Sequence, residues 1–209
     1  MDLMAPPMKK LIKEVETVAI FDFDGTITYR NTTIPYLKFI SEKKFFWKFL
    51  QKIPQAVAYQ FRIIDVDSLN NIIVKHFFKD LSQEFLYQSG QIFADSIVPR
   101  LIKKTAMQRL NWHLEQGHYC ILATAAYNIY VDYWGKNNGF NQIVSTQIDF
   151  DHQGKATGTL RGKSCNGPEK LRRVLECIDN PQKLYAYGDS SGDREILNYA
   201  THSYYREFN

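Results

Sequence analysis

The chain has 209 residues, 44% of them hydrophobic and 23% charged, an ordinary globular balance with apolar material for one full core and a smaller second lobe. Its net charge of +4 points weakly to an anionic partner and gives no separate signal for nucleic acid, so none is assigned. Cys120, Cys165 and Cys177 form no C-x-x-C and leave one thiol over, which excludes a zinc knuckle and a disulfide framework and points to a reducing cytoplasm. No apolar stretch reaches the roughly 20 residues of a membrane span. The opening residues, with Pro6-Pro7 and Lys9-Lys10, lack a secretory apolar core, so a soluble, cytoplasmic chain is expected.

Residues 1–14 read as a tail of mixed polarity ahead of a core made of residues 15–31 and 100–209. Val18-Ala19-Ile20-Phe21 is a continuous apolar run, the pattern of a parallel strand buried on both faces. It ends in Asp22-Phe23-Asp24-Gly25-Thr26. Burying two unpaired carboxylates costs about several kcal/mol each, so a bound cation is the simplest means of offsetting them. If the extended conformation persists, Asp22 and Asp24 lean to the same side at the strand's carboxyl end, where open α/β sheets keep their sites. From 32 to 99 the character changes to helical apolar spacing with many aromatics and Gly90 as the single glycine, which reads as a helical cap inserted after the first strand. Within it, Phe39 to Lys52 interleaves lysines with bulky aromatics. Two readings stay open there: aromatics packed inward with solvated lysines, or a surface for membrane or lipid headgroups.

Pro99 suits the first turn of a helix running to Glu115, with Gly117 ending it. Tyr119 to Ala123 is a second buried strand that delivers Thr124 to the same carboxyl edge, followed by a helix from Ala126 to Asn138. The backbone N–H groups after Thr124, that of Ala125 first, would then open a helix and suit a phosphate. Ile143 to Thr146 is a third strand, and Thr146 to Leu160 alternates around Asp149 to Gly154 as a β-hairpin does. Pro168 opens a helix carrying Lys170, with Lys163 ahead of it as an alternative lysine. Leu184 to Tyr187 is the fourth strand and empties into Gly188-Asp189-Ser190-Ser191-Gly192-Asp193. Ser203 to Tyr205 is the last. Strands alternating with helices are the grammar of an α/β fold with a parallel sheet. His76, His113, His118, His152 and His202 show no metal-ligand spacing and read as structural.

Three strand ends thus gather Asp22 and Asp24, Thr124, and Asp189 and Asp193. A metal and a phosphate account for all of them together. Mg²⁺ prefers oxygen ligands and takes one or two carboxylates beside water and substrate phosphate. The metal site is assigned to Asp22, Asp24, Asp189 and Asp193, with Asp22 and Asp189 as direct ligands. Asp193 could instead cap the helix that starts there. A carboxylate can attack phosphorus, and a second acid is then needed for the leaving group and the hydrolytic water. Asp22 is the candidate nucleophile and Asp24 the candidate acid and base. Thr124, Lys170 and the Gly25-Thr26 turn would surround the phosphoryl oxygens with a hydroxyl, a cation and N–H groups.

Asp22-Phe23-Asp24-Gly25-Thr26, Thr124, Lys170 and Gly188 to Asp193, in that order, resemble the four motifs of the haloacid dehalogenase superfamily phosphatases. The helical insertion after the first motif, with Gly154-Lys155-Ala156-Thr157-Gly158 and Gly167-Pro168-Glu169-Lys170, is similar to the subfamily that holds phosphoserine phosphatases and certain phosphatidylglycerophosphatases. The resemblance implies a Rossmann-like core with a helical cap, Mg²⁺, and phosphomonoester hydrolysis on a small phosphorylated substrate chosen by the cap. In phosphoserine phosphatases a glutamate shortly after the first motif can pair with the substrate ammonium. Here the stretch is Thr28-Tyr29-Arg30-Asn31-Thr32-Thr33, so phosphoserine is not expected. The lysines and aromatics of the cap suit a lipid-like phosphate. A phospho-acceptor receiver module is a rival class, but it lacks the second acid and the long insertion. A binding module on a haloacid dehalogenase-like core without catalysis is another.

Overall fold

The computed structural model describes residues 16–41, 47, 50–52, 54–55, 61 and 63–208. Its centre is a five-stranded parallel sheet in the order β3-β2-β1-β6-β7, built from β1 (Thr17–Phe21), β2 (Tyr119–Tyr127), β3 (Gln142–Thr146), β6 (Lys183–Gly188) and β7 (His202–Tyr205). Central β1 pairs with β2 through Val18 opposite Tyr119 to Phe21 opposite Leu122, and with β6 through Thr17 opposite Lys183 to Phe21 opposite Tyr187. Its period-two alternation splits the core in two. Ala19 and Phe21 join one cluster with Ala106, Leu110, Ile129 and Tyr130, while Val18 and Ile20 join the other with Val174, Ile196 and Leu197. Helices on both faces explain why the strand reads as unbroken apolar sequence.

The first of those clusters is closed by α4 (Lys104–Glu115) and α5 (Asn128–Asn137), the second by α6 (Gly167–Leu175) and α7 (Arg194–Tyr199). The hairpin is present as antiparallel β4 (Ile148–Phe150) and β5 (Ala156–Leu160). Between β1 and β2 lie α1 (Thr33–Ser41), α2 (Val66–Phe77) and α3 (Gln83–Ser96). Asp65 caps α2 through Ser68 N–H and Ser82 caps α3 through Phe85 N–H, each meeting a donor that a helix start leaves orphaned. Tyr36 of α1 is buried against Phe93 and Tyr130, and its hydroxyl meets Ser89 at 3.0 Å. Helix α2 is stitched to the end of β5 and the loop after it: Asn71 accepts from Leu160 N–H at 3.1 Å and Asp67 from Ser164 N–H at 2.8 Å. Gly90 lets α3 meet α5 closely, since a Cβ there would lie 1.8 Å from the Ile129 carbonyl oxygen.

Two boundaries differ from the sequence reading. Pro99 opens only a short 3₁₀ turn, Val98–Leu101, and α4 begins at Lys104. The interruption has a cause: Thr28 and Ile102 form an antiparallel bridge, with Tyr29 N–H donating to Leu101 O and Lys103 N–H to Ile27 O, both at 2.8 Å. Strand β2 runs past Thr124 to Tyr127, with an irregular register between Ala123 and Tyr127, so α5 starts at Asn128 instead of Ala126. Of the lysine and aromatic stretch from Phe39 to Lys52, Glu42 to Phe46, Lys48 and Phe49 lie outside the described residues. Phe39 packs on Phe93 with ring centroids 5.9 Å apart, whereas Trp47 is 69% exposed. Among the described residues no helix is long and apolar enough to cross a membrane.

Candidate active site

The site begins where β1 leaves the sheet. Asp22 still belongs to it, its N–H donating to Tyr187 O at 2.9 Å. Asp22 (φ −73°, ψ 163°) and Asp24 (φ −74°, ψ 117°) stay extended while Phe23 between them is buried against Trp134. Gly25, at φ +86°, then turns the chain through the left-handed region that glycine enters without strain. Thr28 N–H closes the turn on Phe23 O at 2.9 Å. Asp24 Oδ1 accepts from Thr32 N–H at 2.9 Å and from Thr32 Oγ1 at 2.7 Å, which ties it to the entry of α1. Burial pushes its carboxyl up to about 6 against the pull of those two bonds. A group poised near neutrality can both give and take a proton.

Lys170 reaches this point from α6. It is 2% exposed, and its Nζ donates to Asp22 Oδ1 at 2.8 Å and to Asp193 Oδ1 at 2.5 Å. Burial disfavours its charge, but the two carboxylates prevail and raise the ammonium above its usual range. Asp193 Oδ2 takes Ser190 N–H, Ser190 Oγ–H and Asp189 N–H, forming a capping box at the short turn Ser191–Asp193. Against burial, Lys170 and Ser190 hold Asp193 below the ordinary carboxylate range. Asp193 thus caps and binds Lys170 at once. Asp22 moves the other way: burial pushes it up to about 8 despite Lys170. A single ammonium shared with Asp193 cannot offset the desolvation of both acids.

Asp22, Asp189 and Asp193 each offer an oxygen such that the three lie within 4.8 Å of one another. Asp193 already has both oxygens occupied, which leaves Asp22 and Asp189 as the pair suited to a hard divalent cation. The unrelieved burial of Asp22 fits such an ion. Asp24 does not join this group, its carboxylate being held by Thr32. Thr26 Oγ–H donates to Asp189 Oδ1 at 3.4 Å. Thr124 is buried, and its Oγ1 accepts from Ala126 N–H at 3.0 Å. That bond corrects the expectation of a helix N-terminus at Thr124: the Ala126 amide is taken by the threonine, and Ala125 lies in the extended part of β2. Lys163 is exposed, and its carbonyl accepts from Arg173, so Lys170 is the lysine at the carboxylates.

Sequence reasoning missed two further basic residues. Lys103 is 4% exposed and donates from Nζ to Gly25 O at 2.6 Å, and Arg206 Nε donates to Asp189 O at 3.1 Å. Neither sits in a motif. Lys103 falls inside the helix expected from Pro99 and stands instead directly before α4, at its N-cap. The histidines read as structural include buried His113 and half-buried His118, whose Nδ1 atoms lie 2.8 Å apart, with His113 Nε2 at 2.9 Å from Tyr187 OH.

Known proteins agree with this architecture. Protein CicA of Caulobacter vibrioides is 27% identical over 203 residues, covering 97% of this chain and 91% of CicA. A Bordetella pertussis Tohama I protein of unknown function superposes with a TM-score of 0.80 at 17% identity, covering 90% of this chain and 88% of that one. A phosphoserine phosphatase captured as an analogue of its phospho-aspartyl intermediate superposes with a TM-score of 0.58 at 16% identity, over 89% and 84% of the two chains. The family profile of the haloacid dehalogenase-like hydrolases matches residues 19–198, from β1 through both acid-bearing loops, and the chain belongs to that family.

Proposed function

We propose that this hydrolase is a Mg²⁺-dependent phosphomonoesterase working through an aspartyl-phosphate on Asp22. The observation that carries the reading is the buried set of Asp22, Lys170 and Asp193 with Asp189 beside it at the end of two adjacent parallel strands. The Asp22 carboxylate attacks phosphorus, and the bond to the leaving oxygen breaks as Asp24 gives that oxygen its proton. Asp24 then takes a proton from water, whose oxygen attacks the acyl phosphate, freeing inorganic phosphate and restoring Asp22. Lys170 holds Asp22 and offsets negative charge on the phosphoryl group, while Thr124 and the Gly25-Thr26 turn offer it donors. Bound at Asp22 and Asp189, Mg²⁺ would add positive charge on the phosphoryl oxygens.

The test is a screen of phosphomonoesters with and without Mg²⁺, on the wild type and Asp22→Asn. The wild type should turn over in Mg²⁺ alone and the variant should lose turnover by about three orders of magnitude or more, since an amide is a poor nucleophile. Activity in the variant near the wild-type level sinks the covalent route. L-Phosphoserine should be a poor substrate. Asn31 is neutral and its Oδ1 is engaged by Thr33 and Ile34 N–H at the start of α1, so it offers no charge for an ammonium. A second reading narrows the substrate to a partly apolar, lipid-like phosphate. The exposed apolar side chains of Trp47, Phe61 and Ile63, at 69%, 73% and 74%, are what favours it. Equal kcat/KM for short polar and long-chain phosphomonoesters would remove that narrowing.

A further inference from the structure

The two acid-bearing turns are 163 residues apart in sequence, and the side-chain bond that joins Gly25-Thr26 to Asp189 directly is long, Thr26 Oγ1 to Asp189 Oδ1 at 3.4 Å. The β1–β6 pairing, Asp22 N–H on Tyr187 O and the Lys170 bridge bring the turns together, and the fit is close: a Cβ on Gly25 would sit 2.3 Å from Asp189 Oδ2. Lys103 and Arg206 each hold one of these turns from outside. The backbone of Lys103 is locked to the first turn through Ile27 O and the Thr28 to Ile102 bridge, and its Nζ donates to Gly25 O at 2.6 Å. Arg206 comes from the segment after β7, its N–H donating to Gly188 O at 2.8 Å and its Nε to Asp189 O at 3.1 Å. The two side chains line one tightly closed gap together with Gly25, Thr26, Tyr187, Gly188 and Phe208.

Neither arrangement is what packing alone would select. A buried ammonium is costly to desolvate, and an apolar side chain would fill the Lys103 site more cheaply. Burial lowers the Lys103 ammonium, and the charge of Asp189 opposes that shift, which places the cation within the field of the acid loop. Arg206 holds φ +56°, a left-handed conformation that a non-glycine residue adopts at a cost and keeps only where its surroundings fix it. Its two donors to Gly188 and Asp189 are that fixing. We propose that Lys103 and Arg206 are positioning residues, cationic clamps on the main-chain carbonyls of Gly25 and Asp189 that each fix the conformation of their own turn, and so hold the nucleophile turn and the Asp189 carboxylate in their working positions. The kinetic consequence rests on the hydrolase reading above; the clamping itself does not.

Lys103→Met, Lys103→Arg and Arg206→Ala are compared with the wild type and with Lys104→Met, an exposed neighbour. On p-nitrophenyl phosphate, Lys103→Met should lower kcat about tenfold to a hundredfold with KM within about twofold, and Lys103→Arg should regain part of it. Arg206→Ala should raise the Mg²⁺ concentration for half-maximal rate by about tenfold. Amide hydrogen exchange should quicken in residues 22–28 for Lys103→Met and in residues 188–192 for Arg206→Ala, while Lys104→Met matches the wild type throughout. Wild-type exchange in both segments overturns the clamp, as does a Lys103→Met variant whose kcat and exchange are unchanged. Arg206 is exposed, so its variant carries the test even where Lys103→Met fails to fold. A wild type that hydrolyses no phosphomonoester ends the phosphomonoesterase reading, and the exchange measurements still decide the clamp.

Discussion

Gly25→Ala tests the site geometry most sharply, because two separable effects meet at that residue. The first is backbone strain. Gly25 has φ +86°, and an L-residue in the left-handed region costs about 1–2 kcal/mol. For a chain of this length that lowers Tm by about 2–8 °C. The second is displacement. The new Cβ would lie 2.3 Å from Asp189 Oδ2, 2.6 Å from Cγ and 2.9 Å from Oδ1, while ordinary contact begins near 3.4 Å. Asp189 must therefore retreat by about 1 Å, and a misplacement of that size in reacting geometry costs about a hundredfold in rate. Gly117→Ala separates the effects: at φ +70° it carries similar strain, but its Cβ would meet nothing within 4 Å. Both variants should melt lower, and only Gly25→Ala should lose turnover of p-nitrophenyl phosphate. Turnover in Gly25→Ala within about threefold of the wild type would refute the placement of Asp189 against that turn.

Lys170→Met removes the ammonium between Asp22 and Asp193 and leaves two buried carboxylates facing each other, a loss of about 3–5 kcal/mol by urea denaturation. Adding Asp22→Asn should return part of that loss, and no recovery would mean that Lys170 acts by packing alone. Gly90→Ala drives a methyl group to 1.8 Å from the Ile129 carbonyl oxygen, so α3 and α5 must part, at a cost of about 3 kcal/mol or more and a fall in Tm of about 6–12 °C. An unchanged melt would contradict that close crossing. Asp132, whose Oδ1 accepts from Ser145 Oγ–H at 2.6 Å, is pushed by burial from 3.8 up to about 6. A raised folded-state value means that its contribution to stability is fully present below pH 3.8 and is lost as pH rises through 6. The loss is about 3 kcal/mol. Asp132→Asn should flatten stability between pH 4 and 7 by about that amount, and a parallel shift at all pH values would show that the carboxyl does not titrate there.

The strands were legible because burial on both faces writes itself as uninterrupted apolar sequence. Val18 to Phe21 and Leu184 to Tyr187 stand out for that reason, and their terminal aspartates stand out against it. The order of the four stations was legible too, since each lies at a strand end or on the helix before one. Pro99 was misleading because proline suits the first turn of a 3₁₀ helix as well as an α-helix, and only the long-range bridge from Thr28 to Ile102 stops the helix from forming there. The start of α5 was misplaced because Thr124 Oγ1 captures Ala126 N–H, a local bond that competes with helix and carries no distinct pattern. Lys103 and Arg206 were invisible for a different reason. Each acts on a carbonyl oxygen, and a carbonyl has no side-chain identity to be read.

The charges of the site argue for one more positive partner. Asp22, Asp24, Asp189 and Asp193 bring four carboxylates to a largely buried place, against the ammoniums of Lys170 and Lys103. With the exposed Arg206 guanidinium at the Asp189 carbonyl counted as well, the acids if all ionised still outnumber the cations by one. The fold answers it unevenly. Asp193 is held ionised by Lys170 and by three donors on its second oxygen, while burial shifts Asp22 to about 8, Asp24 to about 6, and Asp189 upward as well. The acids left short of donors are thus Asp22 and Asp189, one on each side of the narrow junction between β1 and β6, while Asp24 is supplied by Thr32. An arrangement selected for stability alone would replace such acids with apolar residues of similar volume. Their presence, with a glycine kept clear of Asp189 and two cations on the adjoining carbonyls, fits the divalent cation proposed at Asp22 and Asp189, whose positive charge would relieve the crowded carboxylates.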